Sequence, residues 1–466
     1  MNLKKNDILT ADIIDITNLG FGVARHSGEV IFVSDCVTGD RVELKIIKTT
    51  SSYAVGKLTK IISASPYRTE GRCSIAQCKS CAYKNVSYEA EAAIKSELVA
   101  TAFKKCSLSE VKIAPLVSSP KVAEYRNKAQ YPIAKTPSGE YAIGFYAPKS
   151  HRVTEAAKCP LSPPVFAEIL DTLRAFFQKH ELSVYDEESG RGLLRHVYLR
   201  RGEVSGEILL TLVINGKSIP HSDELIASVT ARFPLVVGIL LNTNEESTNV
   251  ILGDKYTTLF GRDYIFDTLA GVKLKITAPA FYQVNHDCAE LLYAKARELA
   301  ELKKCDTLLD LYCGAGSIGL SMADDCHEIV GIEIVDSAVE CARFNARENG
   351  IENARFYTGD AKNTERLLEN AEHKMGQKIL PRVIILDPPR AGCDEALIKH
   401  ICTTLSPEKV VYISCNPQTL ARDCAIFKNY GFVCDIVFPF DLFPATGHVE
   451  SVVCLTRRLD NELPLA

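Results

Sequence analysis

The chain of 466 residues has neither a long apolar run nor a surplus of basic residues. A membrane-spanning helix needs about 18 or more continuous apolar residues, so we expect no membrane span. The first residues lack the apolar core and cleavage pattern of a secretion signal, so we expect a cytoplasmic protein. The net charge is −4, whereas nucleic-acid-binding domains are often basic. Binding to RNA therefore requires a local concentration of basic side chains.

The composition is that of an ordinary globular protein, with 46% hydrophobic and 24% charged residues. A chain of this length exceeds one hydrophobic core and predicts about two to four domains. It also contains 17 cysteines. In a reducing cytoplasm these are thiols, metal ligands or catalysts rather than disulfides.

Three regions differ in their hydrophobic patterns, which together predict an α/β protein. Residues 1–63 have short alternating runs with glycine turns, which predict a small OB-like β-barrel. Residues 64–278 mix strand and helix patterns and predict an α+β domain, with a helical part at about 86–112 that we expect to pack on the next domain. Residues 279–466 alternate strands and helices, which predicts a doubly wound, Rossmann-like parallel sheet with ligands at the carboxyl ends of its strands.

A glycine-rich loop follows the first strand pattern of the third region. Residues 307–319 read TLLDLYCGAGSIG, a G-x-G-x-x-G that begins at Gly314 and leads into a helix. Glu333 ends the next strand, where an acidic side chain can bind ribose hydroxyls. The glycines alone leave three interpretations: an NAD site, an S-adenosylmethionine site or a turn without a ligand. Asp360 follows the third strand and either contacts the adenine or caps a helix.

Three further strand ends carry reactive groups. The segment LDPPRAGC places Asp387 before two prolines, an element that borders the methyl donor and the target base in methyltransferases. Cys415 follows the apolar run VVYIS and is either a buried small hydrophobe or a nucleophile at a ligand-binding edge. Glu450 precedes a last apolar strand, where it is either a surface charge or a base whose pKa burial raises.

Four cysteines upstream have the spacing of metal ligands. Cys73, Cys78 and Cys81 form C-x4-C-x2-C, and Cys159 follows at a distance. Clustered cysteines in a cytoplasmic protein indicate zinc or iron–sulfur ligands. Because zinc sites usually come as two C-x2-C pairs, the arrangement of three cysteines plus one favours a 4Fe–4S cluster.

The motifs LDLYCGAGSIGL, LDPPRAGC, YISCNPQTLARD and ATGHVES together resemble those of the RNA 5-methyluridine methyltransferases that carry an N-terminal TRAM domain and an iron–sulfur cluster. The resemblance covers essentially the whole chain. It implies that Cys415 is the nucleophile, Glu450 the general base, and residues 1–63 an RNA-binding TRAM domain. The family usually has five residues between its first two cluster ligands, whereas this chain has four. The implied methyl-donor contacts are Gln283, Tyr312, Gly314, Ser317, Glu333, Asp360 and Asp387, and the implied cluster ligands are Cys73, Cys78, Cys81 and Cys159.

The resemblance implies a covalent reaction at carbon 5 of a uridine, with S-adenosylmethionine as the methyl donor. A thiolate adds to carbon 6 of the uracil, and a polar strand-end turn is expected to favour ionisation of that thiol. The target base must leave its stack to react. We favour 23S ribosomal RNA as the substrate, with transfer RNA as the alternative, and expect a monomer. Basic residues that could contact RNA are Lys121, Arg126, Lys128, Lys149, Arg152, Arg191, Arg195, Arg200 and Arg201.

Other classes of protein remain open at this point. A DNA cytosine-5 methyltransferase uses the same covalent chemistry, but such enzymes place proline before the cysteine, whereas Pro417 follows Cys415 here. An amino-group methyltransferase uses a related Asp-Pro-Pro corner and needs no nucleophile. An iron–sulfur RNA-binding or folding factor would bind RNA without transferring a methyl group.

Overall fold

The structure is a computed structural model that describes residues 3–458 apart from positions 72, 76, 77, 79, 149, 157, 376 and 377. Lys149, one of the basic residues predicted to contact RNA, lies outside the described residues. Within the part of the chain that is described, no helix is both long enough and apolar enough to cross a membrane.

The N-terminal region forms a closed five-stranded barrel in the order β1-β2-β3-β5-β4. Alternate residues such as Ile31 and Val33 point into its core, whereas their neighbours are partly exposed, which is the period-2 pattern of a half-buried strand. The predicted small barrel is therefore present. Its strands are β1 (Ile8–Ile16), β2 (Phe21–His26), β3 (Glu29–Ser34), β4 (Arg41–Thr49) and β5 (Tyr53–Ser63).

The middle of the chain builds a seven-stranded mixed sheet in the order β13-β12-β11-β10-β7-β8-β9. Its elements, together with those that extend to the next region, are α1 (Tyr88–Lys105), β6 (Lys112–Ile113), β7 (Lys128–Lys135), β8 (Tyr141–Tyr146), β9 (Val153–Glu155), α2 (Pro164–Lys179), β10 (Leu194–Arg201), β11 (Ile208–Ile214), α3 (Ser222–Arg232), β12 (Val236–Thr243), β13 (Lys255–Gly261), β14 (Tyr264–Leu269) and β15 (Val272–Thr277). Apolar residues of α2 and α3, such as Leu170 and Val229, pack with the sheet in one core.

The last region forms an eight-stranded sheet in the order β18-β17-β16-β19-β20-β22-β21-β6. Strands β16 to β20 are parallel, and the chain order reverses between β16 and β19, which is where such sheets bind ligands. Its elements are α4 (His286–Ala300), β16 (Thr307–Leu311), α5 (Ser317–Leu320), β17 (Glu328–Glu333), α6 (Asp336–Glu348), β18 (Ala354–Thr358), α7 (Thr364–Met375), β19 (Val383–Leu386), α8 (Glu395–His400), β20 (Lys409–Ser414), α9 (Pro417–Asn429), β21 (Phe432–Phe440) and β22 (Glu450–Arg457).

Two segments that precede residue 278 pack on this last sheet. Val99 and Phe103 of α1 share a core with Phe427 of α9, and β6 pairs with the edge strand β21. The β14–β15 hairpin also joins the core beneath α4, where Ile265 and Leu292 belong to one cluster. The domain boundaries at 63 and 278 stay a prediction, because packing is continuous across the second of them.

Candidate active site

A cavity of about 950 Å³ lies at the carboxyl edge of the parallel strands. It is lined by Cys415, by Glu450 and by every predicted donor contact except Ser317. The hydroxyl of Ser317 instead lies 2.8 Å from that of Tyr293, which also forms a hydrogen bond with the side chain of Gln283. The fold thus gathers, in one cavity, side chains from strand ends that are up to about 170 positions apart in sequence. The donor contacts lining the cavity are Gln283, Tyr312, Gly314, Glu333, Asp360 and Asp387.

The glycine loop has a backbone shape that other residues rarely adopt. Gly314 has φ +53° and Gly316 has φ +79°, both in the left-handed region that glycine tolerates. A Cβ at Gly316 would lie 3.0 Å from the ring of Phe356. The N–H of Gly314 donates to Oε2 of Glu333 over 3.1 Å, so the predicted ribose-binding carboxylate is already held against the loop.

Two other predicted donor contacts have structural partners as well. Oδ1 of Asp360 accepts from the N–H of Lys362 over 3.0 Å and so caps a short turn, while the same residue lines the cavity. The position of Asp360 is therefore compatible with both predicted roles, the cap and the contact with the adenine. Tyr312 has φ +66° and forms a side-chain hydrogen bond with Cys393, which directs its ring along the cavity wall.

The cavity brings together three acidic groups whose pKa values are all raised. Burial, reinforced by Asp387, raises the pKa of Glu450 to about 8, and burial raises that of Asp387 to about 7. Burial and then Glu450 raise the pKa of the Cys415 thiol to about 11, whereas Arg390 acts in the opposite direction through its charge and a hydrogen bond. Our expectation that the strand-end turn favours the thiolate is thus wrong for the protein without ligands, because burial, and after it the nearby carboxyl groups, raise the pKa of the thiol.

The turn that carries the nucleophile is tied to the Asp-Pro-Pro corner. Asn416 caps α9 and donates from Nδ2 to the carbonyl of Arg390 over 3.1 Å. Oδ2 of Asp423 accepts from the N–H of Cys393 over 2.8 Å and from the Tyr412 hydroxyl over 2.6 Å. Since Asp423 is fully buried, these bonds fix the two loops relative to each other.

The loop between β21 and β22 leads directly to Glu450 and is held by a buried ion cluster. Nζ of Lys95 lies 2.8 Å from Oε1 of Glu91 and 2.6 Å from Oδ1 of Asp441. Oε1 of Glu91 also accepts from the N–H of Ala445 over 2.6 Å. The side chains of all three charged residues are 0% exposed, so helix α1 determines where this loop lies.

The four predicted cluster ligands lie near one another and are partly buried free thiols. Burial raises the pKa of Cys81 and of Cys159, and the other cysteines of the set raise both further. Sγ of Cys73 accepts from the N–H of Ile75 over 3.4 Å. No group of three or more His, Cys, Asp or Glu among the described residues has the arrangement that holds a metal ion. The thiols are nevertheless neighbours, because their charges act on one another.

Two of the basic residues that we predicted to contact RNA are buried and form hydrogen bonds inside the protein. Arg195 is buried and donates from Nη1 to the carbonyl of Asn244 over 2.7 Å. Arg200 is 1% exposed and donates from Nη2 to the carbonyl of Ala280 over 2.7 Å. A surface role for these two arginines is therefore wrong, because strand β10 is buried along most of its length.

Several cavity residues were not selected from the sequence. Arg390 follows the two prolines and acts on both Cys415 and Glu450; its place inside the motif LDPPRAGC was the available signal. Phe281 lines the cavity yet is 70% exposed, and Phe443 lines it from the loop before Glu450. No periodicity in the sequence marks these two phenylalanines, because both lie in loops.

Comparison with known proteins decides the family. The family model described as tRNA (uracil-5-)-methyltransferase matches residues 241–458. An uncharacterized RNA methyltransferase of Halalkalibacterium halodurans is 37% identical over 97% of this chain and 98% of its own length. The chain belongs to the RNA uracil-5-methyltransferase family. A similar relative, from Clostridium acetobutylicum, is 37% identical over 98% of both chains.

A solved structure supports the fold and the donor. The Pyrococcus abyssi tRNA (uracil-54, C5)-methyltransferase in complex with S-adenosyl-L-homocysteine has a TM-score of 0.77 and 25% identity, and the match covers 96% of this chain and 99% of that one. The present family member is an RNA methyltransferase that depends on S-adenosylmethionine, as the family and this complex show.

Proposed function

We propose that the protein methylates carbon 5 of a uridine in structured RNA through a covalent bond between Cys415 and carbon 6. The observation that carries this proposal is the joint position of Cys415, Glu450 and Asp387 in one cavity with the glycine loop. An amino-group methyltransferase needs neither a thiol nor a second buried carboxyl group at this place.

The roles follow from the chemistry of uracil, whose carbon 5 is a weak nucleophile. Addition of the Cys415 thiolate to carbon 6 moves electrons onto the carbonyl oxygen and makes carbon 5 reactive. After the methyl group has been transferred, Glu450 removes the proton from carbon 5, and the thiol is eliminated. Glu450 suits this step because its pKa, raised to about 8, makes it a stronger base than an exposed glutamate.

Formation of the thiolate requires positive charge in the cavity. Arg390 already lowers the pKa of Cys415 and so favours the charged form. When bound, S-adenosylmethionine would supply the methyl group and a positively charged sulfonium. The residues that would hold the donor are Gln283, Tyr312, Gly314, Glu333, Asp360 and Asp387. Ser317 would contribute indirectly, through its hydrogen bond with Tyr293, which contacts Gln283.

We further propose that Cys73, Cys78, Cys81 and Cys159 hold a 4Fe–4S cluster. Such a cluster is held by four thiolates, and the four thiols are partly buried neighbours. Cys81 and Cys159 pack with Tyr125 and Ala445. Four thiolate–iron bonds would therefore join the 73–81 segment to Cys159, next to Ala445 of the loop that precedes Glu450.

The RNA class is proposed from the architecture. A barrel next to a cysteine-bearing region suits a large structured substrate, and we propose 23S ribosomal RNA. Transfer RNA is the second candidate, because the solved neighbour is named as a tRNA (uracil-54, C5)-methyltransferase. For either substrate, we propose that the protein acts as a monomer in the cytoplasm.

Methyl transfer from labelled S-adenosylmethionine to unmodified ribosomal and transfer RNA tests both parts of the proposal. We expect 5-methyluridine in one RNA class and a Cys415-dependent adduct with RNA that contains 5-fluorouridine. The control is Cys305→Ala, since Cys305 is an exposed thiol that does not line the cavity. Full activity of Cys415→Ala would contradict the covalent mechanism, and label in another nucleoside would contradict the reaction.

A further inference from the structure

Three basic side chains meet where the central sheet borders the catalytic cavity. Lys128 in β7 and Arg200 in β10 are directly opposite each other in an antiparallel pair, so their side chains lie on the same face. Arg126 precedes β7, where it forms an isolated bridge with Asn285, and its charge is close enough to act on Lys128. Of the three, Lys128 lines the cavity that contains Cys415 and Glu450.

These three side chains have no ion pair with a carboxylate in the described part of the chain. Arg200 is buried and donates from Nη2 to the hydroxyl of Tyr198 and to the carbonyl of Ala280, both over 2.7 Å. Nε of Arg126 is buried without an acceptor. For the Lys128 ammonium, no hydrogen bond is found among the described residues. Lys128 and Arg200 are thus like charges placed side by side, whereas Arg126 also faces the thiols of Cys81 and Cys159.

Such an arrangement is unfavourable for the protein alone. Burial, and after it the charges of Arg200 and Arg126, lower the pKa of Lys128 to about 8, because each disfavours the ammonium form. Folded proteins usually pair partly buried charges. A local conflict of this kind is expected where a ligand completes the site, and the ligand that removes this conflict carries negative charge.

The position of Lys128 indicates which anion it receives. The predicted donor contacts Tyr312, Glu333 and Asp360 come from the ends of β16 to β18, whereas Lys128 belongs to the central sheet. The same cavity is lined by Phe281, an exposed aromatic ring. A cation next to an exposed aromatic ring is how proteins hold an unstacked nucleotide, with the base on the ring and the phosphate on the cation.

Resting on the proposed function, we propose that Lys128 binds a phosphate group of the RNA at the target nucleotide. Arg126 and Arg200 add positive charge next to this anion subsite, and Arg200 also positions it. Arg200 does so by holding the carbonyls of Ala278 and Ala280, directly before Phe281. The base and its phosphate would thereby be oriented by one short stretch of the central sheet and the segment it anchors.

Lys128→Gln tests the proposal by RNA affinity measured over a range of salt concentrations in the presence of S-adenosylhomocysteine. The probe is the unmodified 23S ribosomal or transfer RNA that accepts the methyl group. A lost phosphate contact should reduce the slope of log affinity against log salt by about 0.7 to 1. We expect about tenfold weaker binding at moderate salt.

Two further variants separate the subsite from a general loss of charge. Lys128→Arg should restore affinity and slope, since arginine also binds phosphate. Lys179→Gln removes one positive charge at an exposed pair with Glu224, where Nζ and Oε1 are 2.5 Å apart, and should leave both unchanged.

Each other outcome would overturn the inference. A lower kcat with unchanged RNA affinity would assign Lys128 to the reacting base, and weaker binding of S-adenosylhomocysteine would assign it to the donor. An unchanged slope would exclude a phosphate contact. Failure of the proposed function is distinguishable, because the wild-type protein would then bind RNA with Lys128-dependent affinity and form no 5-methyluridine.

Discussion

Replacing Lys95 by methionine should destabilise the catalytic region by removing a cation that contacts two buried carboxylates. Nζ of Lys95 is 2.8 Å from Glu91 and 2.6 Å from Asp441, and it also donates to the carbonyl of Phe443 over 3.0 Å. Methionine preserves most of the volume, so the change isolates the charge. The two carboxylates would remain buried without a counter-ion.

The size of the effect follows from complete burial of the cluster. Breaking a buried ion pair by removing one partner costs about 3–5 kcal/mol. For a cooperative unit of about 150–250 residues, each kcal/mol lowers the unfolding midpoint by about 2–4 °C. We therefore expect Lys95→Met to lower the thermal midpoint of the catalytic region by about 6–20 °C.

Differential scanning calorimetry checks this, with Lys179→Met as the matched control because that lysine is 63% exposed. The triple variant Glu91→Gln, Lys95→Met, Asp441→Asn should recover most of the loss, since neutral buried groups need no counter-ion. A single variant within about 2 °C of wild type would refute the reasoning. An equal loss in the triple variant would show that packing, and not charge, is responsible.

Three other predictions concern catalysis. Glu450→Gln should slow turnover about 10²–10⁴-fold and accumulate a covalent Cys415–RNA species on denaturing gels, because elimination needs the base; no accumulation would contradict that role. With a pKa of about 8, Glu450 is mostly protonated at pH 7, so elimination from the preformed covalent Cys415–RNA species should become faster as pH increases through about 8 and then level off; an elimination rate that is flat from pH 6.5 to 9 would argue against it. Gly447→Ala should impair activity, because its Cβ would lie 1.7 Å from the carbonyl oxygen of Asn18 in the barrel; wild-type activity would show that this contact is unimportant.

The strand ends could be predicted because their determinants are local. Apolar runs mark β16, β19 and β20, and the residues that follow them are Tyr312, Asp387 and Cys415. Parallel strands bring their carboxyl ends to one edge. Glu450 reaches the same edge because β22 runs antiparallel to β20 and begins at this residue. The sequence motifs therefore predict the strand-end side chains that line the cavity.

The fates of the basic residues could not be predicted in this way. Arg200 and Lys128 both occur in strand patterns with basic neighbours, yet one is buried against carbonyls and the other lines the cavity. Burial depends on which elements cover a strand, and the covering segments here are remote in sequence. The raised pKa of Cys415 has the same origin, since it depends on burial by remote segments and then on Glu450 and Asp387 from other strands.

The sequence by itself determined the order of strands and helices, the glycine loop, and the identity of the nucleophile and base candidates, because each is encoded in a short continuous segment. Only the tertiary structure decided the charge state of those groups and the support of their loops. Lys95 and Asp441 are 346 positions apart, so no pattern within a short segment predicts that they form an ion pair. Electrostatic energies depend on distance and burial, and these are properties of the folded chain.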